Sequence, residues 1–354
     1  MQENINQEKF IQSSLNNMEF ERKNSIDILR CIALLGIIII HCGPTSLIVQ
    51  QLRGFDVPLM VFLSGVSYKI SSKRNKSTYK QYLWRRFKRL IVPTWLFITF
   101  YIVLIYIITS SLPEKRWIIN TYTFYTSWYV WIIRVLLLLA IIVPLVVPFI
   151  QKHYSVVKYI ITNIIFIIVY ELLPLRPEGY SSYALYLFIE FIPYLFIFLY
   201  GYEINRFTKF QQSLVSTAFY IVYLSILVYL YNEEGCVINT STQKYPPHIY
   251  YTSYAMGCIG VLWLLKEKIT YLVQETHLTK FLCFIGRHTI WIYLWHIVVL
   301  TIIGDMKEGF EIKFIIVALG ALVITYIQSL TITWINKRII SKSIQKNLQL
   351  IFNG

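Results

Sequence analysis

The sequence predicts an all-α polytopic membrane protein with about ten transmembrane helices and both termini cytoplasmic. Apolar runs of about 17–25 residues, long enough to cross a bilayer as helices, recur through all 354 residues. These runs do not alternate apolar and polar residues, so barrel strands are set aside. Lys and Arg also divide unevenly between the breaks: with the amino terminus inside, 23 fall in inner segments and 7 in outer ones. That asymmetry fixes the expected orientation.

The expected spans are about 26–43, 55–71, 91–110, 128–149, 157–172, 184–201, 212–231, 249–265, 281–303 and 314–335. They divide the chain into a cytoplasmic segment 1–24, a transmembrane domain 25–336 and a cytoplasmic tail 337–354. The first segment lacks a small-residue cleavage site after its apolar run, so that run is expected to be retained as the first span. The net charge of +15 would suggest nucleic acid in a soluble protein. Here the charges flank spans, where they set topology and meet anionic lipid headgroups. No nucleic-acid partner is expected. Five cysteines without metal spacing predict neither a disulfide framework nor a metal site.

The first span, N-S-I-D-I-L-R-C-I-A-L-L-G-I-I-I-I-H-C, carries Asp27, Arg30 and His41. Eleven residues of α-helix cover roughly 16 Å and about three turns, so Arg30 and His41 share a face. Asp27 lies one turn from Arg30 on the same stripe. Charged groups in a span usually face a bundle interior or a polar cavity. The plainer reading is a snorkelling Arg and a hydrogen-bonded core His.

Span two contains Ser64-Gly65, small residues that favour close helix packing more than nucleophilic chemistry. The loop 69–92, K-I-S-S-K-R-N-K-S-T-Y-K-Q-Y-L-W-R-R-F-K-R-L-I-V, is the most basic stretch of the chain. Its interleaved aromatics suit an interfacial helix that ends where Pro93 opens span three. Either it is a positive-inside anchor, or Arg86 and Arg89, sharing a face at i, i+3, grip phosphate. Span four opens with Ser127-Trp128-Tyr129 and holds Arg134; span six holds Glu190. The outer loop 232–248 ends in Lys244-Tyr245-Pro246-Pro247-His248, whose tyrosine suits a headgroup region or a sugar face. Span nine, F-I-G-R-H-T-I-W-I-Y-L-W-H, carries Arg287, His288 and His296, a second polar stripe. His153 and His277 fall in inner loops and are expected to be solvated.

These pieces, in this order, resemble the bacterial acyltransferase 3 family of integral membrane acyltransferases over residues 25–335. The carrying motifs are S-I-D-I-L-R-C-I-A-L-L-G-I-I-I-I-H, P-L-M-V-F-L-S-G-V, R-R-F-K-R-L-I-V-P, S-W-Y-V-W-I-I, K-Y-P-P and I-G-R-H-T-I-W-I-Y-L-W-H. Val66 departs from the aromatic common at its position.

The resemblance implies a multi-pass protein of the bacterial cytoplasmic membrane that uses acyl-CoA, most simply acetyl-CoA, as co-substrate with no metal. The acceptor would be a hydroxyl of a cell-surface glycan or its lipid-linked precursor, delivered by this chain's loops or a separate partner. The implied catalytic residues are His41, Arg30 and Asp27. Arg86, Arg89, Arg30 and Ser64 would bind the donor, and Trp128, Tyr245 and His296 the acceptor. His41 would act as general base or as acyl carrier. Arg134 or Arg287 would either face the oxyanion or pair with Glu190 or Asp27. The oligomeric state is left open. The rival class is a glycan-precursor flippase, which has no need of an R-x-x-R phosphate clamp. A non-catalytic scaffold leaves the aligned Arg30 and His41 unexplained.

Overall fold

The computed structural model describes residues 24–43, 46–74, 77–126, 128–152, 156–172, 183–304 and 309–353. The segment 1–23, Ser127 and His153 lie outside them. The chain forms α1 (Asn24–His41) and then α2 (Leu47–Leu52), α3 (Asp56–Arg74), α4 (Tyr79–Thr109), α5 (Lys115–Tyr122), α6 (Trp131–Lys152) and α7 (Val156–Leu172). It continues through α8 (Tyr183–Glu203), α9 (Lys209–Glu234), α10 (Ile249–Glu275), α11 (Thr279–Arg287), α12 (Thr289–Ile303), α13 (Phe310–Arg338) and α14 (Lys342–Phe352).

Every span expected from the sequence falls largely on helix. Among the described residues, six stretches are long and apolar enough to cross a membrane: Asn24–His41, Leu47–Ser72, Tyr79–Thr109, Trp131–Gln151, Lys209–Glu234 and Phe310–Arg338. The pair α11–α12, bent by 82°, would make a seventh. The remaining expected spans correspond to α7, of 17 residues, to α8, and to α10, whose first turns are diluted by Tyr250, Tyr251, Ser253 and Tyr254. Length and apolarity therefore support a multi-pass membrane protein, with six or seven candidate spans among the described residues.

Two boundaries differ from the sequence reading. Pro93 does not separate an interfacial helix from a span: α4 runs through it without a break. A proline removes one backbone donor, but Thr94 Oγ1 donates to the Leu90 carbonyl at 2.7 Å, just beside the gap. The carbonyl that Pro93 leaves without its helical donor is that of Arg89, one residue before the one Thr94 serves. The true start of α4 is a capping box in which Thr78 Oγ1 accepts from Gln81 N at 3.3 Å and Gln81 Oε1 accepts from Thr78 N at 3.2 Å.

Span nine, expected as one helix, is instead broken at His288. The His288 ring bonds the Phe284 carbonyl through Nδ1 at 2.9 Å, and its own carbonyl accepts from Trp291 N at 3.1 Å. The side chain thus serves the end of α11 while the backbone begins α12.

Glycines set the closest helix approaches. A Cβ on Gly65 would collide with the Phe198 carbonyl, and one on Gly201 with the Phe62 carbonyl, so α3 and α8 meet backbone to backbone. A Cβ on Gly286 would likewise strike the Asp27 carbonyl, which places α11 directly on the opening turns of α1. This is the small-residue packing that bilayers favour, where burial against lipid gives helices little reason to associate. Residues 337–354, expected as a tail, extend α13 to Arg338 and form α14. Trp291 Nε1 donates to Ile351 O at 2.8 Å, and Lys88 Nζ to Asn347 Oδ1 at 2.7 Å.

Candidate functional site

The site has two ends joined by α1. At one end Arg30 Nη1 donates to Asp27 Oδ1 at 3.2 Å and Nη2 to Ser67 Oγ at 2.6 Å. Asp27 Oδ2 also lies 3.3 Å from Arg287 Nε, a pairing made possible by the close approach at Gly286. A cavity of about 300 Å³ opens beside them, lined at this end by Arg30, Arg86, Arg89 and Arg287 with Ser64, Ser67 and Ser71. Arg86 Nε reaches the Tyr82 hydroxyl at 3.2 Å, and Arg89 makes no side-chain hydrogen bond among the described residues. Among the described residues, four guanidiniums line this end, and the one carboxylate found there, Asp27, pairs with two of them, Arg30 and Arg287. Like charges held this close in partly dry surroundings call for an anion. Ser64 bonds back to the Met60 carbonyl at 2.9 Å, so it contributes surface to the cavity and has no base beside it.

Farther along, the cavity wall becomes apolar, with Leu34, Ile37, Ile133 and Leu136, and Tyr293 also lines it. His41 lies one helical turn beyond Ile37. Its Nδ1 sits 2.8 Å from His296 Nε2, and the two rings lie nearly parallel, 11° apart. Tyr129 meets the His41 ring edge-on at 4.7 Å, and Tyr293 lies 6.5 Å away. The Tyr293 hydroxyl donates to the Tyr129 carbonyl. His41 is half-buried, and His296 is fully buried.

Hydrogen-bond chemistry fixes the tautomers. His296 Nδ1 contacts the Tyr293 carbonyl, which only accepts, so the proton is on Nδ1. In a neutral ring Nε2 is then the acceptor. His41 must donate through Nδ1, which leaves its Nε2 lone pair as the basic atom of the pair. His296 therefore orients His41 by the logic with which a partner fixes a catalytic or metal-bound imidazole. The sequence placed His296 on the acceptor; the fold brings it against His41.

The other expected residues fall around this end. Trp128 packs between Tyr101 at 5.1 Å and Trp117 at 5.2 Å and supports Tyr129 at 5.3 Å. Arg134 pairs with Glu190 and donates to the Phe124 carbonyl at 2.8 Å, which holds the turn preceding Tyr129. Arg287, as noted, pairs with Asp27. Tyr245 is half exposed and stands edge-on to Trp131 at 5.1 Å.

Sequence reasoning missed the roles of five residues at this end. Tyr129 and Tyr293 stood inside the S-W-Y-V-W-I-I and I-G-R-H-T-I-W-I-Y-L-W-H motifs without a site role of their own. Arg53 and Asp56 form a buried pair at 2.7 Å, for which the only signal was an Asp just before Val57-Pro58. Lys244 is buried, over the rings of Trp131 at 5.2 Å and Tyr245 at 5.4 Å. Burial pushes its ammonium down to about 8; Asp56 and Glu190 oppose that shift, and Arg53 adds to it. Among the described residues no cluster of His, Cys, Asp and Glu is arranged to hold a metal.

A family profile described as an acyltransferase domain, acyltransferase 3, matches residues 23–334. No match was found among curated proteins or among solved structures.

Proposed function

Because the chain belongs to the acyltransferase 3 family, we propose that it moves an acyl group from acyl-CoA, with acetyl-CoA the simplest donor, to a saccharide hydroxyl across a bacterial cytoplasmic membrane. One observation carries this reading: a cavity with four arginines at one end runs beside α1 towards an oriented histidine pair. The arginine end suits the phosphates of CoA, which guanidiniums hold by charge-assisted hydrogen bonds. The apolar middle suits a flexible pantetheine arm, and Tyr293, which lines the cavity and lies 6.5 Å from the His41 ring, marks the side on which that arm would approach His41. The arginine end is assigned to the cytoplasm by the Lys/Arg asymmetry.

The chemistry follows from the free lone pair. His41 Nε2 takes the proton of the acceptor hydroxyl, and the oxygen attacks the thioester carbonyl carbon. The C–S bond breaks, and the departing CoA thiolate recovers the proton from the His41 imidazolium. The Nδ1–H bond to His296 persists through these steps and keeps the ring in place. As acyl carrier, His41 would attack the thioester carbonyl with the same atom and release CoA thiolate; the acceptor oxygen would then take the acyl group as the acyl–imidazole bond breaks, its proton going to the thiolate. The saccharide is the proposed acceptor because the half-exposed Tyr245 offers an aromatic surface beyond the histidine pair.

The test is the release of CoA thiol from acetyl-CoA by the purified protein supplied with a lipid-linked saccharide fraction. Thiol release that depends on both protein and saccharide supports the reading. Movement of saccharide across vesicles without thiol release would make the protein a flippase.

A further inference from the structure

A second cavity, of about 420 Å³, lies outside the site just described, between α7, α8, α9 and α10. Its wall is almost wholly apolar, with Ile168 from α7, Ile192 and Ile197 from α8, Val215 and Val222 from α9 and Met256 from α10. Along α9 the lining runs from Val215 to Val222, roughly 10 Å of helix. Along α10 it runs from Ile249 to Met256, a similar distance. The space is therefore a slot that follows the helix axes. Ile164 and Ile168 line it and are half exposed, so the slot opens to the membrane beside α7.

The slot has one polar end, at the loop 232–248, where Glu171 and Pro247 line it. Glu171 Oε1 accepts from Ile249 N at 2.7 Å, and Oε2 lies 3.2 Å from His248 Nδ1. The last turn of α7 thereby caps the first turn of α10. Tyr170 fastens α7 a second time, its hydroxyl donating to the Ile189 carbonyl at 3.2 Å. That carbonyl is the one Pro193 leaves without its helical donor, and Pro193 itself lines the slot. Both fastenings come from the polar end of α7, and beyond them the wall is hydrocarbon.

A saccharide in this space would leave its hydroxyls unpaired, at a cost, whereas a hydrocarbon chain suits it. The volume, within the range of small-molecule sites, takes part of one chain. A bilayer phospholipid carries two, one of which would stay outside; a polyprenyl phosphate carries one. The polar end at Pro247 also lies two residues from the half-exposed Tyr245, the surface assigned to the saccharide. We propose that the slot binds the polyprenyl chain of a lipid-linked saccharide, with its phosphate at the rim by Pro247 and its sugar at Tyr245. This rests on the acyl-transfer reading and names the form in which the acceptor arrives. Attachment at a second point keeps the acceptor hydroxyl at high local concentration near His41.

The experiment is photolabelling of the full-length protein in phosphatidylcholine nanodiscs with a polyprenyl phosphate that carries a diazirine on its chain. Labelling should saturate and map to the slot-lining residues of α7 to α10. Excess unlabelled polyprenyl phosphate should suppress it, and the same excess of dioleoyl phosphatidic acid should not. Ala218 lines the slot and is exposed, so Ala218→Trp fills the space without crowding the core and should abolish the saturable label. Leu224→Trp, at an exposed position of the same helix outside the slot, should keep it. Equal competition by phosphatidic acid would overturn the proposal and make the slot a phospholipid site. Wild-type label that maps elsewhere, or label that persists in folded Ala218→Trp, would overturn it as well, and the wild-type map needs no variant. Saturable label in the slot without thiol release from acetyl-CoA on a polyprenyl-linked saccharide would remove the acyl-transfer reading. Thiol release without saturable label would remove this proposal and leave that reading standing.

Discussion

His41 and His296 stand 255 residues apart in sequence, and their Nδ1 and Nε2 atoms lie 2.8 Å apart in the fold. That contact joins α1 to α12 and decides which nitrogen of His41 is basic. His296 should therefore behave as a positioning residue. His296→Ala should lower acyl transfer about 10–100-fold, the range seen when a histidine loses its orienting partner, with CoA affinity unchanged. His296→Gln, which keeps an acceptor for His41 Nδ1–H, should recover part of that loss. Equal loss in both variants would assign His296 to the acceptor instead.

Arg86 and Arg89 make the donor test. Each change to Ala should weaken CoA binding by about 1.5–3 kcal/mol, the range for hydrogen bonds to charged groups. Membrane insertion should persist, since Arg85, Lys88 and Lys80 remain in the same stretch. Calorimetry on the folded double variant decides the matter, and an unchanged affinity would return this stretch to a topology anchor.

Much of the arginine end was legible because single helices fix it. Arg30 and His41 share a face through helical geometry alone, and so do Arg86 and Arg89. What joins the helices was not legible. Gly286 reads as one glycine in an apolar run until the Asp27 carbonyl is seen against it. His296 could be placed on a polar stripe, but no spacing rule points it at His41. The break at His288 was hidden because a continuous apolar pattern fits one helix or two. Lys244 looked like a loop cation, and only the packing of Trp131 and Tyr245 around it reveals its burial.

Topology can be read from a native residue. Of the five free cysteines only Cys236 is exposed, and it lies in the loop expected to be outside. An impermeant maleimide added to intact cells should label the wild-type protein, and Cys236→Ser should abolish the signal. Labelling that appears only after permeabilisation would invert the orientation and put the arginine end outside.

Lys244 gives a pH signature. Its folded-state pKa, pushed down by burial to about 8, lies below the ordinary 10.5. The folded state thus binds fewer protons than the unfolded state between those values. Stability should therefore rise with pH across that window, by on the order of 3 kcal/mol, and the burden of the buried charge is greatest below it. Thermal unfolding of the wild type and Lys244→Met from pH 7 to 10.5 tests this. The slope should vanish in Lys244→Met, and identical slopes would place the titration elsewhere.

The proposed acyl transfer takes place at His41 and is fed from the arginine end. The direct measurement follows labelled acetyl from acetyl-CoA, supplied on one side of oriented vesicles, into saccharide on the other. Wild-type protein should transfer label, and His41→Ala should fall to background while still binding CoA. Base catalysis alone contributes about 10²–10⁴-fold, and the phosphate end lies about three helical turns away. Full transfer by folded His41→Ala protein would contradict the account.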